Sequence, residues 1–372
     1  MVASADGSIR ERVTELTAEL VAYRTTADRP EEIEACMDRV AAFFEDAGVP
    51  IDRYEDGGVP SLVASLADSS APEVVFHGHL DVVPAQERLF SPEVRGDRLY
   101  GRGAADMKGG LAAMMYVIER IATAERTPSV AMMVVADEER GGTHGARYLL
   151  EDVGYDPDFC ITGEPNNLDG YMDVINRQKG IVQVSVSATG EPAHAATPEQ
   201  GENAIEKIMA AYPDLRQVFD DRDGEWGPTL NAGRIRGGEA LNQVPAEATL
   251  ELDVRYPDEE TRDEVLYELR QLPDLEVKTM GHGNPVDTDP DEPHARALLE
   301  HARSVTDRGR EVEFTRKPHT SDLRHFARND VPGVAFGPEA YGSHEEFEHL
   351  LLESLEDYVE TLYEFATGGP YG

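Results

Sequence analysis

Residues 129–142 read SVAMMVVADEERGG. The run from Ser129 to Ala136 is continuously apolar and of strand length. That is the mark of a strand covered on both faces, as in a sheet sandwiched by helices. It delivers two adjacent carboxylates, Glu138 and Glu139, followed by a Gly141-Gly142 turn. Two acids side by side at the end of a buried strand repel each other unless cations neutralise them. The competing reading is a solvated acidic turn.

Outward from this run, strands alternate with helices. Val74-Val75-Phe76 and Asp158–Thr162 read as further strands, and so does a run around Leu62–Leu66. Residues 9–24 carry Val13, Leu16, Leu20 and Tyr23 on one helical face, and Pro30 opens a second helix ending near Gly48. A helix is expected over Met107–Ala124 and a short one over Thr143–Leu150. This order implies an α/β fold with a mostly parallel sheet between helices. After Gly180 the pattern changes to alternating apolar and polar residues at Ile181–Ala188 and Ala248–Val254, with helices at Asn203–Phe219 and Thr261–Leu272. Strands at Thr229–Ile235 and Glu276–Met280 complete a βαββαβ unit, an α+β domain with two helices on one face of an antiparallel sheet. His294–Val305 then reads as a helix, Val331–Phe336 as a last buried strand and Glu345–Ala366 as the terminal helix. The first domain is therefore discontinuous, residues 1–180 and 288–372, with residues 181–287 inserted into it.

Polar groups gather just beyond the apolar runs, where open α/β sheets place their sites. His79-Leu80-Asp81 follows one strand, and residues two apart on an extended segment point the same way. Asp81 is either a ligand or the acceptor that orients a metal-bound imidazole, and the second role is favoured. Asp106 closes the glycine-rich turn Gly101-Arg102-Gly103. It is a candidate to bridge two metals, or else an N-cap for the following helix. Glu164-Pro165 ends another strand, and His344 follows Phe336–Ser343. Two imidazoles and this set of carboxylates form a ligand set for two divalent ions, zinc first, with cobalt or manganese as alternatives. One acid of the Glu138-Glu139 pair is left to act as a base.

The chain has 372 residues and a formal net charge of −39, from 73 Asp plus Glu against 34 Lys plus Arg. Only five of the cations are lysine. An ordered acidic chain poor in lysine fits adaptation to molar salt, where self-repulsion is screened; an ordinary acidic cytosolic enzyme is the plainer alternative. The charge argues against nucleic acid and anionic membranes as partners. Cys36 and Cys160 are too few for a disulfide framework and suit a reducing compartment. The N-terminal MVASADGSIRERV lacks the pattern of a signal peptide, and no apolar run is long enough to span a membrane. A cytoplasmic protein is expected.

Taken in order, GHLDVVP (78–84), LYGRGAADMKGGLAA (99–113), VADEERGG (135–142), TGEP (162–165), GEPAHAATPEQGENAI (190–205), LNQVPAEATLELDVRYPDEET (241–261), TSDLRHFA (320–327) and FGP with SH (336–344) resemble the co-catalytic zinc amidohydrolases. That family includes succinyl-diaminopimelate desuccinylase, acetylornithine deacetylase, aminoacylase and glutamate carboxypeptidases; TSDLR is nearest the desuccinylase branch. The resemblance implies that His79 and Glu164 hold one metal and that Glu139 and His344 hold the other. Asp106 would bridge them, with a cis peptide bond to Met107. It further implies that Asp81 orients His79 and that Glu138 is the general acid and base. His194 would stabilise the oxyanion from across a dimer, and Asn242, Arg255, Thr320 and Ser321 would contact substrate. The inserted domain would be a lid through which a homodimer forms. The implied activity is hydrolysis of an N-acyl amino acid, N-succinyl-LL-2,6-diaminopimelate or an N-acetyl amino acid, with dipeptides as the alternative. A non-catalytic metal-binding protein on the same fold would have lost the base or a ligand, and this sequence keeps them all.

Overall fold

The computed structural model describes residues 7–67, 69–124, 127–166, 171–220, 222, 224, 226–306 and 310–368. It divides into two compact units. One comprises Gln178–Val286 with Pro318–Thr320, and the other the remaining described residues.

In the larger unit the run that opened the reading becomes the strand Val130–Val135, buried at every position. It lies beside Val74–His79, which is also fully buried. The sheet order is Ile51–Asp56, Val59–Ser65, Val130–Val135, Val74–His79, Phe159–Thr162, Gly333–Ala335, Val174–Gln178. Parallel pairing occupies the centre, from Val130–Val135 through Gly333–Ala335, and the flanking pairs are antiparallel. Both faces are covered. Phe76 joins the core built with Leu111, Met115 and Tyr358 of the helices Gly109–Ala122 and Ser354–Gly368. The next residue, His77, stands edge-on to Phe326 of the helix Leu323–Arg328. This two-sided burial is why these strands show no alternation.

Register brings the strand ends together. Val74–His79 and Val130–Val135 run parallel with His79 opposite Val135, while His77 is opposite Thr162. The residues that follow each strand therefore emerge side by side at one edge of the sheet.

Two helix boundaries differ from expectation. The helix expected from Met107 starts at Gly109, after a wide turn over Ala104–Lys108 in which Asp106 is extended. Asp106 therefore does not cap the helix. The terminal helix expected from Glu345 starts at Ser354. Within the preceding segment, His349–Leu351 forms a strand of a small sheet, between Ala340–Tyr341 and Arg98–Tyr100.

The smaller unit is a four-stranded antiparallel sheet, in order Thr229–Gly237, Glu247–Tyr256, Gly180–Thr189, Glu276–Gly283. Val182, Val184 and Val186 alternate inward, as do Leu250, Leu252 and Val254. They pack on Ile208, Leu215 and Phe219 of the helix Ala204–Asp220 and on Val265 and Leu269 of Glu259–Gln271. The period-two pattern read in the sequence is this one-sided burial.

Candidate active site and metal centre

Three strand ends and two loops supply the site. His79 ends its strand and is fully buried. Its Nδ1 lies 3.0 Å from the backbone oxygen of Asp81. A carbonyl only accepts, so Nδ1 carries the proton and Nε2 of the neutral ring presents a lone pair. That lone pair faces Glu164 Oε1 at 3.1 Å and Asp106 Oδ1 at 3.3 Å. The other oxygen of Asp106 lies 3.5 Å from His344 Nε2, which is itself 3.1 Å from Glu139 Oε1. Asp106 thus stands between two clusters, His79 with Glu164 and Glu139 with His344, each with ligand atoms within 4.8 Å of one another. His344 has φ +68°, a left-handed conformation that costs a non-glycine residue energy and is a feature of functional positions. The Asp106–Met107 peptide is cis.

The donor set fits divalent cations. Lone pairs on nitrogen and negative oxygens converge at hydrogen-bond distance, and such atoms repel unless a proton or a cation lies between them. Burial opposes charging His79, yet the Asp106, Asp81 and Glu164 carboxylates outweigh it and raise the ring's proton affinity well above ordinary. Asp106 shows the reciprocal effect: burial favours its neutral form, but His79, Lys317 and His344 pull its pKa below the usual range. Mixed nitrogen and oxygen ligands suit zinc, cobalt or manganese rather than calcium.

Asp81 organises the neighbouring strand end. Its carboxylate accepts the backbone N–H groups of Glu138 at 3.3 Å and Glu139 at 3.1 Å, and it lies 3.5 Å from His79 Nδ1. Glu138 experiences burial first and then the negative charges of Asp322 and Glu164, which together push its carboxyl well above the ordinary range. Glu139 is raised by burial and by Asp106, against the pull of His344. Glu138 has an environment suited to holding a proton, and Glu139 one suited to sharing a cation with His344.

In the smaller unit, His194 is exposed. Its Nδ1 accepts the Ala196 N–H at 3.0 Å, which leaves the proton of the neutral ring on Nε2 as a donor. Asn242 is also exposed, and its carbonyl accepts the Ala195 N–H at 3.0 Å. Arg255 is half-buried and grips Asp253 with two N–H groups, while a third donates to Thr320 Oγ at 3.1 Å. Ser321 belongs to the larger unit and is buried.

Several residues near the site were missed in the sequence. Lys317 is buried, with Nζ 3.1 Å from the Pro165 oxygen and 3.6 Å from Glu164 Oε2. Asp322 is fully buried beneath the Gly141-Gly142 turn, beside His77 and His325. Glu348 is fully buried against Arg102. The available signals were a lysine in a chain with only five and the place of Asp322 within TSDLR.

The chain is similar to known proteins over most of its length. The sequence profile of peptidase family M20/M25/M40 matches residues 75–368. A succinyl-diaminopimelate desuccinylase of Gluconacetobacter diazotrophicus is 33% identical over 315 residues, 80% of each chain. Among solved structures, a Staphylococcus aureus tripeptidase superposes with TM-score 0.76 at 23% identity, covering 96% of this chain and 97% of its own. A dinuclear metal-binding peptidase from Bacillus subtilis gives TM-score 0.71 at 16% identity, covering 96% and 97%.

Proposed function

The chain belongs to peptidase family M20/M25/M40, and on that premise we propose that it is a two-metal deacylase of amino-acid biosynthesis whose first substrate is N-succinyl-LL-2,6-diaminopimelate. It is an enzyme, a metal-dependent hydrolase of a linear amide bond. The desuccinylase reading is supported by curated relatives of that name at 28–33% identity across most of the chain. The observation that carries the hydrolytic reading is Glu138, a carboxylate of raised proton affinity, beside two ligand clusters that share Asp106.

His79, Asp106 and Glu164 would hold one cation, and Asp106, Glu139 and His344 the other, zinc first with cobalt or manganese as alternatives. When bound, such ions polarise an amide carbonyl and lower the pKa of water. Glu138 takes a proton from the attacking water as its oxygen bonds to the carbonyl carbon. It passes that proton to the leaving nitrogen as the C–N bond breaks, releasing a carboxylate and a free amine. Asp81 keeps the base in place through the N–H groups of Glu138 and Glu139 and holds the proton of His79 on Nδ1. The Nε2–H of His194 donates to the oxygen that becomes negative, the role of an oxyanion-hole donor. Asn242, Arg255, Thr320 and Ser321 contact the substrate near its carboxylate. The smaller unit serves as lid and dimerisation domain, and the enzyme works as a homodimer in a salt-rich cytoplasm.

Arg177 pairs with Asp287 at 2.9 Å, and Lys179 donates to the Gly227 carbonyl at 2.6 Å. Both cations of the segment Asn176–Gly180 are thus engaged within the protein, which favours an N-acetyl amino acid as the second reading. A panel of N-succinyl-diaminopimelate, N-acetyl amino acids and dipeptides, assayed at molar salt for amine release, separates these. Highest kcat/KM on the succinyl substrate supports the proposal, and preference for a dipeptide overturns it.

A further inference from the structure

We infer that Glu348 is a positioning residue for the metal centre, tying the loop that carries Asp106 to the loop that carries His344. The inference rests on the two-metal reading above. Glu348 lies four residues beyond His344 and is fully buried. One carboxylate oxygen, Oε1, accepts three backbone N–H groups, from Gly103 at 2.8 Å, Ala105 at 3.0 Å and Asp106 at 3.1 Å. The other oxygen accepts from the buried guanidinium of Arg102. The Glu348 backbone carbonyl takes the Gly101 N–H at 3.2 Å. A single residue therefore engages Gly101, Arg102, Gly103, Ala105 and Asp106.

The chain around it is built for the same purpose. His349 pairs with Tyr100 in the small sheet, which sets the two loops side by side. Asp106 turns one oxygen to His79 and the other to His344, so its orientation decides the shape of both clusters. Among the described residues, the side chain that accepts the Asp106 N–H is that of Glu348. Hydrogen bonds with a charged partner are about twice as strong as neutral ones, and the Arg102 guanidinium supplies that charge here. Taking the acceptor away strands two buried N–H groups, the part-buried Asp106 N–H and the Arg102 charge together. The consequence is felt at both metal positions, because Asp106 belongs to both clusters and His344 rides on the same loop as Glu348.

The test is calorimetric titration of metal-stripped protein with Zn²⁺ or Co²⁺, at molar salt, for wild type, Glu348→Gln and Glu348→Ala. The melting temperature of each metal-free protein is measured in parallel. Glutamine keeps one acceptor oxygen but turns an amide donor toward Arg102. Groups that orient ligands typically contribute 10–100-fold to metal affinity, so Glu348→Gln is expected to weaken both binding steps about ten-fold and Glu348→Ala about a hundred-fold. The Co²⁺ visible absorption of the variants should change at both ions. If Glu348→Ala does not fold, Glu348→Gln decides. Two steps of wild-type affinity in a variant, with only the melting temperature lowered, overturn the positioning role and leave the metal centre standing. Failure of the wild-type protein to take up two ions overturns the metal reading and this inference with it.

Discussion

Glu138 and Glu139 are chemically identical neighbours with different surroundings. Glu138 meets burial and two further carboxylates; Glu139 meets His344 at 3.1 Å. Replacing Glu138 by alanine should leave two ions bound and lower kcat by about 10²–10⁴-fold, the usual contribution of a general base. Glu139→Ala should instead lose metal, read by elemental analysis after dialysis. Near-wild-type turnover in Glu138→Ala would place the base elsewhere. His194→Ala should lower kcat by about 10²–10³-fold. If the histidine serves a partner subunit, mixing Glu138→Ala and His194→Ala proteins should restore activity; verified hybrids that stay inactive would argue against a shared site. At this scale the sequence exposed residues that sit beside apolar runs. His79, Glu138, Glu139 and Glu164 are legible because a buried strand points to each. His344 stands eight residues beyond the run Val331–Phe336, so its signal from the residues is weaker and the resemblance sharpens it. Glu348, Lys317 and Asp322 act on partners more than a hundred residues away in the chain, several of them backbone atoms that carry no sequence signal.

Elements set the precision with which these groups meet. The turn after the glutamate pair uses Gly142 at φ +58°, and a Cβ there would lie 2.0 Å from Asp322 Oδ1. His325 donates to the Gly141 carbonyl at 3.0 Å, so the turn rests on a buried polar layer. Gly142→Ala should therefore destabilise the fold by more than about 1 kcal/mol, from the positive φ and the lost space together. A urea midpoint unchanged from wild type would show that the turn is free to move. A second close approach occurs at Gly110, where a Cβ would lie 2.2 Å from the Gly163 carbonyl, next to Glu164. The strands and the βαββαβ order were readable because burial imposes a period. Residues 345–353 were not. They are rich in helix-favouring Glu and Leu, yet pairing of His349–Leu351 with Arg98–Tyr100 overrides that weak local preference.

On the scale of the whole molecule the dominant quantity is the charge of −39. Lowering salt from molar to about 0.1 M lengthens the Debye length from about 3 Å to about 10 Å, so neighbouring surface carboxylates begin to repel one another. The melting temperature should fall as salt is removed. A melting temperature that holds or rises would contradict adaptation to high salt. Among the described residues no helix is long and apolar enough to cross a membrane. The two cysteines are free and buried, as a reducing compartment allows. The most direct test of the central claim is amine release from N-acyl amino acids by metal-stripped enzyme, followed as Zn²⁺ is added back at molar salt. Negligible release without metal, rising to full rate as up to two equivalents are taken up, is the predicted result. Full-rate hydrolysis by the stripped protein, or none after two ions are bound, would contradict it.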